Sequence, residues 1–435
     1  MKRPLYGWLT SEAVSLTGTR ITMVALPFFV LATTGSVAKL GVVSFVETLP
    51  FIVFQVLGGP IIDRIGPRRV AITCDFASVV VIGSVPMLHS AGLLSFPLLL
   101  LCAGTAGAIR GPGDSAKLAM VPSLVTEAGV SLERASGLST TVERTASMLG
   151  VAVAGLLVAA MGSANALFLN AATFAISGTI LAWSTARLPR PVRARVASES
   201  DGDSTRQPAL DHVKEYLRQL HEGFSFLRRD RVLFAITAMV ALTNLLDAAW
   251  ATVLVPVWAK GFAGSATAMG LLFAVFTGAS ALGAISAAVW AERLPRYKTY
   301  LLAFLLAGAP RFVAMGLDFP LFAVLAVAAA GGFAAGFINP VISAVTFERI
   351  PEELVGRVSS LKVALAYALI PFGGLLGALF ITASGLAVAL IVCGLLYLAV
   401  TMLPALDPRW REIERPSVSD GRKADDESAR VATTD

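Results

Sequence analysis

Five ionisable residues lie near the middle of long apolar stretches: Arg20, Glu47, Arg110, Asp114 and Asp247. Inserting a charge at such a position costs at least about 2.5–3.5 kcal/mol, so these side chains are expected to face a cavity or a partner. A carboxylate there can take up and release a proton, and a guanidinium group can neutralise it. The residue types therefore predict proton exchange and ion pairing inside a membrane-embedded cavity.

Asp247 is the first candidate for proton exchange. No cation lies within four residues of it, and Asn244 and Trp250 flank it at i−3 and i+3. A carboxylate in an apolar span without a neighbouring cation is suited to binding protons. The alternative is that Asp247 pairs with Arg20 or Arg110 across the cavity.

Asp114 and Glu47 are the other proton-coupling candidates. Asp114 stands four residues after Arg110 and three before Lys117, a spacing that predicts a ladder on one helix face. This ladder is interpreted either as an internally neutralised packing device or as part of the coupling. Glu47 is predicted to neutralise Arg20.

The sequence offers no set of residues for enzyme chemistry. Its histidines, His89, His212 and His221, form no cluster at metal-ligand spacing, and no nucleophile motif or phosphate-binding loop occurs. We therefore expect no enzymatic activity, no metal site, and no cofactor other than a proton gradient.

The elements that position these residues are predicted from composition. Of the 435 residues, 56% are hydrophobic and only 15% are charged, whereas soluble domains carry about 25% charged residues. This excludes a soluble enzyme or a nucleic-acid binder. A helix needs about 20 apolar residues to cross a bilayer, and such windows occur at 7–32, 38–61, 69–89, 96–120, 137–160, 164–186, 233–258, 265–290, 298–317, 320–346, 358–382 and 385–405. The predicted fold is an all-α integral membrane protein with twelve transmembrane helices in two six-helix bundles.

The predicted domains follow from this count. They are an amino-terminal bundle over 1–187, a cytoplasmic linker over 188–231, a carboxy-terminal bundle over 232–405 and a disordered cytoplasmic tail over 406–435. The linker ends in a predicted amphipathic interfacial helix, whose apolar stripe is formed by Val213, Leu217, Leu220, Phe224 and Leu227.

Short loops predict the orientation, because cytoplasmic loops collect Lys and Arg. The side of the amino terminus carries eleven such residues and the opposite side carries two, Lys39 and Lys260. Both termini are therefore predicted to be cytoplasmic, in a multi-pass protein of the plasma membrane, which would be the inner membrane of a bacterium. The eleven are Lys2, Arg3, Arg64, Arg68, Arg69, Arg134, Arg293, Arg296, Lys298, Arg349 and Arg357.

A loop motif recurs in the two halves. The loop after the second span reads GGPIIDRIGPRRV at 58–70, and the loop after the eighth reads AVWAERLPRYK at 288–298. The first resembles the signature of the major facilitator superfamily. That resemblance implies two bundles that rock about a central site, and a gating loop that holds the halves together in one state. Its residues here are Gly59, Asp63, Arg64, Gly66, Arg68 and Arg69, followed by Asp75.

The chain more closely resembles drug-efflux members, of the macrolide-pump, tetracycline-pump and enterobactin-exporter type. The resemblance rests on VALPFFVLATTGS at 24–36, RGPGDSAKLAMVPSLV at 110–125, EGFSFLRRDRVL at 222–233 and PEELVGRVSS at 351–360. Two features depart from that pattern. Span 5 lacks the proline of a Gly-Pro-x-x-Gly-Gly run between Gly150 and Gly155, and Arg20 stands where an acid is common.

The resemblance implies that spans 1, 4, 7 and 10 line the central cavity. Candidate substrate-cavity residues are Arg20, Arg110, Asn244, Trp250, Asn339 and Phe28. The amino-terminal wall is expected to be polar and the carboxy-terminal wall mostly apolar. Such a cavity suits hydrophobic or amphipathic molecules of several hundred daltons.

These observations predict a monomeric secondary transporter in contact with membrane lipid and not with nucleic acid. It is expected to export hydrophobic or amphipathic small molecules by alternating access with proton antiport. An importer or facilitator of a small metabolite without proton antiport is the alternative. A structural or receptor-like membrane protein is disfavoured by the repeated loops and midplane charges.

Overall fold

The computed structural model describes residues 3–186, 218, 222–263, 265–290, 293–351, 354–406, 410 and 413–414. Within these ranges the chain is helical and no strand occurs. Most of the predicted linker over 188–231 lies outside the described residues, including the stripe residues Val213, Leu217 and Leu220, and so does the tail beyond 414.

The amino-terminal half contains two short helices and five long ones, one of which doubles back. The elements are α1 (Arg3–Thr34), α2 (Val37–Leu57), α3 (Gly59–Ile65), α4 (Pro67–Ser90), α5 (Phe96–Ala119), α6 (Val121–Ala128) and α7 (Leu132–Ser184). The backbone of α7 leaves helical geometry at Gly162, where φ is 82°. Before this point α7 follows α1, since Glu12 meets Ser139 and Arg20 meets Ser147. Beyond it the chain runs back along α1, where Ser177 meets Ser11.

The carboxy-terminal half begins with a helical segment at 222–229. The helices that follow are α8 (Arg231–Ala249), α9 (Val255–Ala263), α10 (Ala266–Trp290), α11 (Arg296–Ala307), α12 (Ala309–Gly316), α13 (Leu321–Arg349), α14 (Val355–Tyr367), α15 (Ile370–Ser384) and α16 (Leu386–Met402). A π turn at Trp250–Leu254 joins α8 to α9.

The helices account for twelve crossings. Nine stretches of the described chain are long and apolar enough to span a bilayer, and α7 is one of them. Because α7 reverses at Gly162, it counts twice. Two further helices lie outside the nine: α5, which carries three charges, and α16, which has 17 residues. The nine stretches, the second crossing of α7 and the two further helices together make twelve crossings of the bilayer. The predicted fold class is therefore confirmed.

Glycines let the helices that carry charged residues approach closely. A Cβ on Gly107 of α5 would lie 2.0 Å from the carbonyl oxygen of Glu47 in α2. Small residues at such crossings allow backbone-to-backbone packing between membrane helices. The close crossing of α5 and α2 brings Arg110 and Glu47 to the same cavity.

The two halves meet on the side opposite the amino terminus, which we call the far side. A Cβ on Gly155 of α7 would lie 2.7 Å from the carbonyl oxygen of Ala266 and 2.9 Å from the Cα of Gly270, both in α10. Gly41 of α2 packs against Gly374 of α15 in the same way. Lys260 also donates a hydrogen bond of 2.8 Å to the carbonyl oxygen of Leu31.

The segment at 222–229 packs on the ends of α13 and α14. Leu227 is fully buried with Leu233, Ile350 and Val358. Asp230 caps the amino terminus of α8 and accepts a hydrogen bond of 2.9 Å from Arg349. The part of the predicted interfacial helix that the structure describes therefore packs on protein through Leu227, while Phe224 is exposed.

Part of the predicted disordered tail is packed. Trp410 and Ile413 are buried, and the Trp410 ring lies 5.7 Å from that of Tyr300. The Glu414 carboxylate accepts hydrogen bonds from the backbone N–H groups of Arg296 and Tyr297, at 2.9 and 3.2 Å. The boundary predicted at 406 is therefore too early, because these apolar side chains cover the first turn of α11.

Candidate functional site

A cavity of about 280 Å³ lies at the amino-terminal half. Its polar lining includes Arg20 from α1, Glu47 from α2 and Arg110 from α5. Three carboxy-terminal residues, Ala251, Thr252 and Ile370, complete the wall. The rest of the lining is mainly apolar and includes Met23, Leu26, Pro27, Leu40, Val43 and Phe51.

Arg110 is the centre of the ion pairs in this cavity. One of its Nη atoms lies 3.9 Å from Glu47, and its Nε lies 3.7 Å from Asp114. The guanidinium carbon also stands 4.4 Å from the ring centre of Phe51, within range of a cation–π contact. The prediction that Glu47 neutralises Arg20 is wrong, because α2 and α5 cross closely enough to give Glu47 to Arg110.

Arg20 has a neutral partner. Its Nη2 donates a hydrogen bond of 2.8 Å to the Ser147 hydroxyl, and its buried Nε has no partner. Within the described part of the chain, no carboxylate stands within ion-pair distance of Arg20.

Lys117 does not form an ion pair with Asp114. Its ammonium group is buried and lies 2.8 Å from Asp75 and 2.9 Å from the Ser15 hydroxyl. Asp75 also accepts a hydrogen bond of 2.7 Å from Ser177. The predicted three-member ladder is therefore wrong at Lys117, because its ammonium group pairs with Asp75 of the neighbouring helix α4 and not with Asp114. Asp75, predicted with the gating loop, belongs to this buried cluster.

A second cavity, of about 380 Å³, lies in the carboxy-terminal half. Asp247 lines it with Arg311, and the two side chains form an ion pair. The Asp247 side chain is 40% exposed whereas that of Arg311 is 4% exposed, so the carboxylate faces the cavity and the guanidinium stands behind it. The predicted pairing of Asp247 with Arg20 or Arg110 is wrong, because Arg311 of α12 takes that position.

Aromatic rings surround Arg311. Its guanidinium carbon lies 4.4 Å from the ring centre of Trp250 and 5.7 Å from that of Tyr397. Asn244 and Asn339 line the same cavity, and Asn244 donates a hydrogen bond of 2.9 Å to the carbonyl oxygen of Ala366. Most of the carboxy-terminal wall is apolar, as expected, but it also carries an ion pair and two asparagines that the expectation did not place there together.

The two cavities adjoin at the π turn. Ala251, the second residue of this turn, lines both of them. The turn also contacts α1 and α2 of the other half. Phe28, a candidate cavity residue from the sequence, packs against the hydrophobic core. It lines neither of the two cavities described above.

The gating-loop residues lie on the side of the amino terminus. Asp63, Arg64 and Arg69 are exposed, and so is Gly59. Arg68 donates hydrogen bonds to the Thr185 hydroxyl and the Ala182 carbonyl oxygen, at 2.9 and 3.0 Å. Gly66 has a φ of 94°, which favours glycine, and it forms the turn into α4.

Sequence reasoning missed Arg311 as the partner of Asp247 and missed the pairing of Asp75 with Lys117. The available signal was that Arg311 and Asp75 are themselves charges within apolar stretches. Such charges are expected to have a partner, but the partner stands 64 residues away in one case and 42 in the other.

Twelve membrane crossings in two halves of the described chain, with charged cavities at their interface and within one half, are the architecture of a membrane transporter. The model of the Major Facilitator Superfamily matches residues 9–261 and, in a second match, 237–433. The chain belongs to this superfamily.

Its relatives include efflux pumps. The chain is 28% identical over 418 residues to the multidrug efflux pump Tap of Mycolicibacterium fortuitum, covering 95% of this chain and 97% of that protein. It is 24% identical over 419 residues to macrolide efflux protein A of Streptococcus pyogenes, covering 95% and 98%.

Solved structures share the fold. A bacterial homologue of the iron transporter ferroportin, in an inward-facing state, matches with a TM-score of 0.66 at 17% identity, covering 94% of this chain and 98% of that one. The nucleoside transporter NupG matches with a TM-score of 0.68 at 13% identity, covering 92% and 98%.

Proposed function

We propose that this protein exports hydrophobic or amphipathic small molecules, including drugs, by proton-coupled antiport with alternating access. The observation that carries the proposal is the Asp247–Arg311 ion pair, which lines a cavity beside the π turn where the halves meet. The efflux pumps that resemble the chain over 95% of its length support the direction of transport.

Alternating access is supported by where the halves touch. Gly155 with Gly270, and Gly41 with Gly374, form small-residue contacts at the far side. Helices joined by such contacts can separate without large side chains having to repack. Rocking of the two halves about the midplane would then open the far side and close the side of the gating loop.

Proton coupling is assigned first to Asp247. When Asp247 is ionised, it holds the Arg311 guanidinium and so joins α8 to α12. Protonation would remove the charge of Asp247, and Arg311 would then be held by aromatic ring faces alone. Since α8 continues into the π turn against α1 and α2, this change can bias the contact between the halves. Asp114 and Glu47, which share Arg110, remain further coupling candidates.

Exchanging Asp247 for Asn tests the coupling. In inside-out vesicles with an acidic lumen, the wild-type protein should accumulate labelled amphipathic compounds, with a macrolide among those assayed. Asp247→Asn should abolish this uphill accumulation, because the amide cannot bind and release a proton. It should retain exchange of labelled for unlabelled cargo at equal pH, because that exchange needs no net proton movement.

Asp318→Asn is the matched control, since Asp318 is exposed and its φ of 52° suits asparagine. It should transport like the wild type. Uphill accumulation by Asp247→Asn would contradict the assignment of the proton site.

An importer or facilitator is the second candidate. Two sequence features favour it: Arg20 in place of an acid, and the missing proline between Gly150 and Gly155. The same vesicles distinguish the two, because a facilitator would equilibrate cargo without responding to the pH gradient. We further propose a monomer with both termini cytoplasmic, needing no cofactor beyond the proton gradient.

A further inference from the structure

The amino-terminal cavity has an imbalance in its ion pairs. Two guanidinium groups line it, those of Arg20 and Arg110, but only one carboxylate does, that of Glu47. Both carboxylates in contact with this cluster, Glu47 and Asp114, stand beside Arg110. Arg20 therefore faces the cavity without a carboxylate contact among the described residues.

The surroundings of Arg20 do not replace that missing partner. Its hydrogen bond goes to the neutral Ser147 hydroxyl, and its Nε is buried and unpartnered. Within the described residues, neither Asp114 nor Glu143 forms an ion pair with Arg20. A charge within a membrane span is expected to meet a partner or a ligand. A partner for the Arg20 guanidinium can therefore approach from the cavity.

The apolar side chains that line the amino-terminal cavity indicate what the rest of the ligand should be. Met23, Leu26, Pro27 and Phe51 line the same space, which has a volume of about 280 Å³. Arginine binds carboxylates and phosphates through paired N–H donors, and such charge-assisted hydrogen bonds are about twice as strong as neutral ones. A ligand with one acidic group and an apolar body would satisfy both parts of this lining.

We propose that the amino-terminal cavity binds amphipathic organic anions, with the acidic group on Arg20 and the apolar body against Phe51 and Leu26. This inference deepens the proposed function by naming a substrate class for the exporter, and it rests on that function for its biological meaning. The ion pair Asp247–Arg311 lies in the other cavity, so the proposed anion site is separate from the first candidate for the proton site.

The test is equilibrium binding to the purified full-length protein in detergent, which does not depend on transport. The probes are fluorescein, an anionic dye, and rhodamine 123, a cationic dye with the same xanthene ring system. The wild-type protein should bind fluorescein more tightly. Arg20→Gln should weaken fluorescein binding by about tenfold or more and leave rhodamine 123 binding unchanged or stronger. Arg20→Lys should keep part of the preference, because it keeps the charge.

Arg134→Gln is the matched control, since Arg134 is exposed near the start of α7, and it should bind both dyes like the wild type. Size-exclusion chromatography reports whether each variant is folded. If Arg20→Gln does not fold, Arg20→Lys is used in its place to test the proposal. The proposal is overturned if the wild type binds neither dye or prefers rhodamine 123, or if folded Arg20 variants bind fluorescein unchanged. Because binding needs no gradient, a failure of export alone leaves this result intact.

Discussion

At the scale of single residues, the pair of Lys117 and Asp75 is the most completely buried ion pair that the structure describes. Removing one partner of such a pair costs about 3–5 kcal/mol, because the other charge stays buried and uncompensated. We therefore expect Lys117→Met to lower the thermal unfolding midpoint in detergent. Asp75→Asn combined with Lys117→Met should recover most of the loss, since neither charge then remains.

Lys298→Met provides the comparison for that measurement. Lys298 is exposed near the start of α11, and surface substitutions of this kind usually change stability by less than about 0.5 kcal/mol. If Lys117→Met were as stable as Lys298→Met, the Lys117–Asp75 pair would not stabilise the fold.

The residue scale is also where sequence reasoning was least complete. The charged residues near the middle of spans could be named, because each stands out against an apolar background. Their partners could not, since Arg311 reaches Asp247 and Lys117 reaches Asp75 only through helix packing. The same packing separated Arg20 from Glu47. Pairing depends on helix rotation, which hydropathy does not determine.

At the scale of elements, Gly155 controls how closely α7 and α10 approach. A valine there would place its side chain against the carbonyl oxygen of Ala266 and the backbone of Gly270. Gly155→Val should therefore separate the halves at the far side. Spin labels at Thr33 and Gly261, in a background without the three native cysteines, should report a longer distance between labels by electron resonance.

Gly137→Val, on the same helix, should leave that distance unchanged, because a Cβ at Gly137 meets no atom within 4 Å. An unchanged distance in Gly155→Val would show that the contact between α7 and α10 does not hold the far side closed.

Elements could be predicted from the sequence to a large extent. Hydropathy sets the twelve crossings, because a bilayer of fixed thickness demands about 20 apolar residues for each. It does not report the π turn at Trp250–Leu254, since a π turn adds a residue without changing the apolar composition. That turn places Ala251 between both cavities, so the feature that joins the two candidate sites became visible only in the fold.

At the scale of the whole molecule, Trp410 and Glu414 pack a carboxy-terminal segment on α11. Its charged composition predicts disorder, but Trp410 and Ile413 are buried there. The signal was present as two isolated apolar residues three apart in a charged stretch. What composition could not show is that Tyr300 and the unpaired N–H groups at the start of α11 provide a surface for them.

Two truncations separate the packed part of this segment from the rest. Ending the chain at Leu406 removes Trp410, Ile413 and Glu414, which uncovers Tyr300 and leaves the N–H groups of Arg296 and Tyr297 without their carboxylate. Loss of a buried tryptophan costs about 3–5 kcal/mol and loss of a helix cap about 1 kcal/mol. This truncation should lower the thermal unfolding midpoint in detergent. Ending the chain at Glu414 keeps every one of these contacts and should unfold like the full chain. Equal midpoints for both truncations would mean that the segment does not stabilise the carboxy-terminal half.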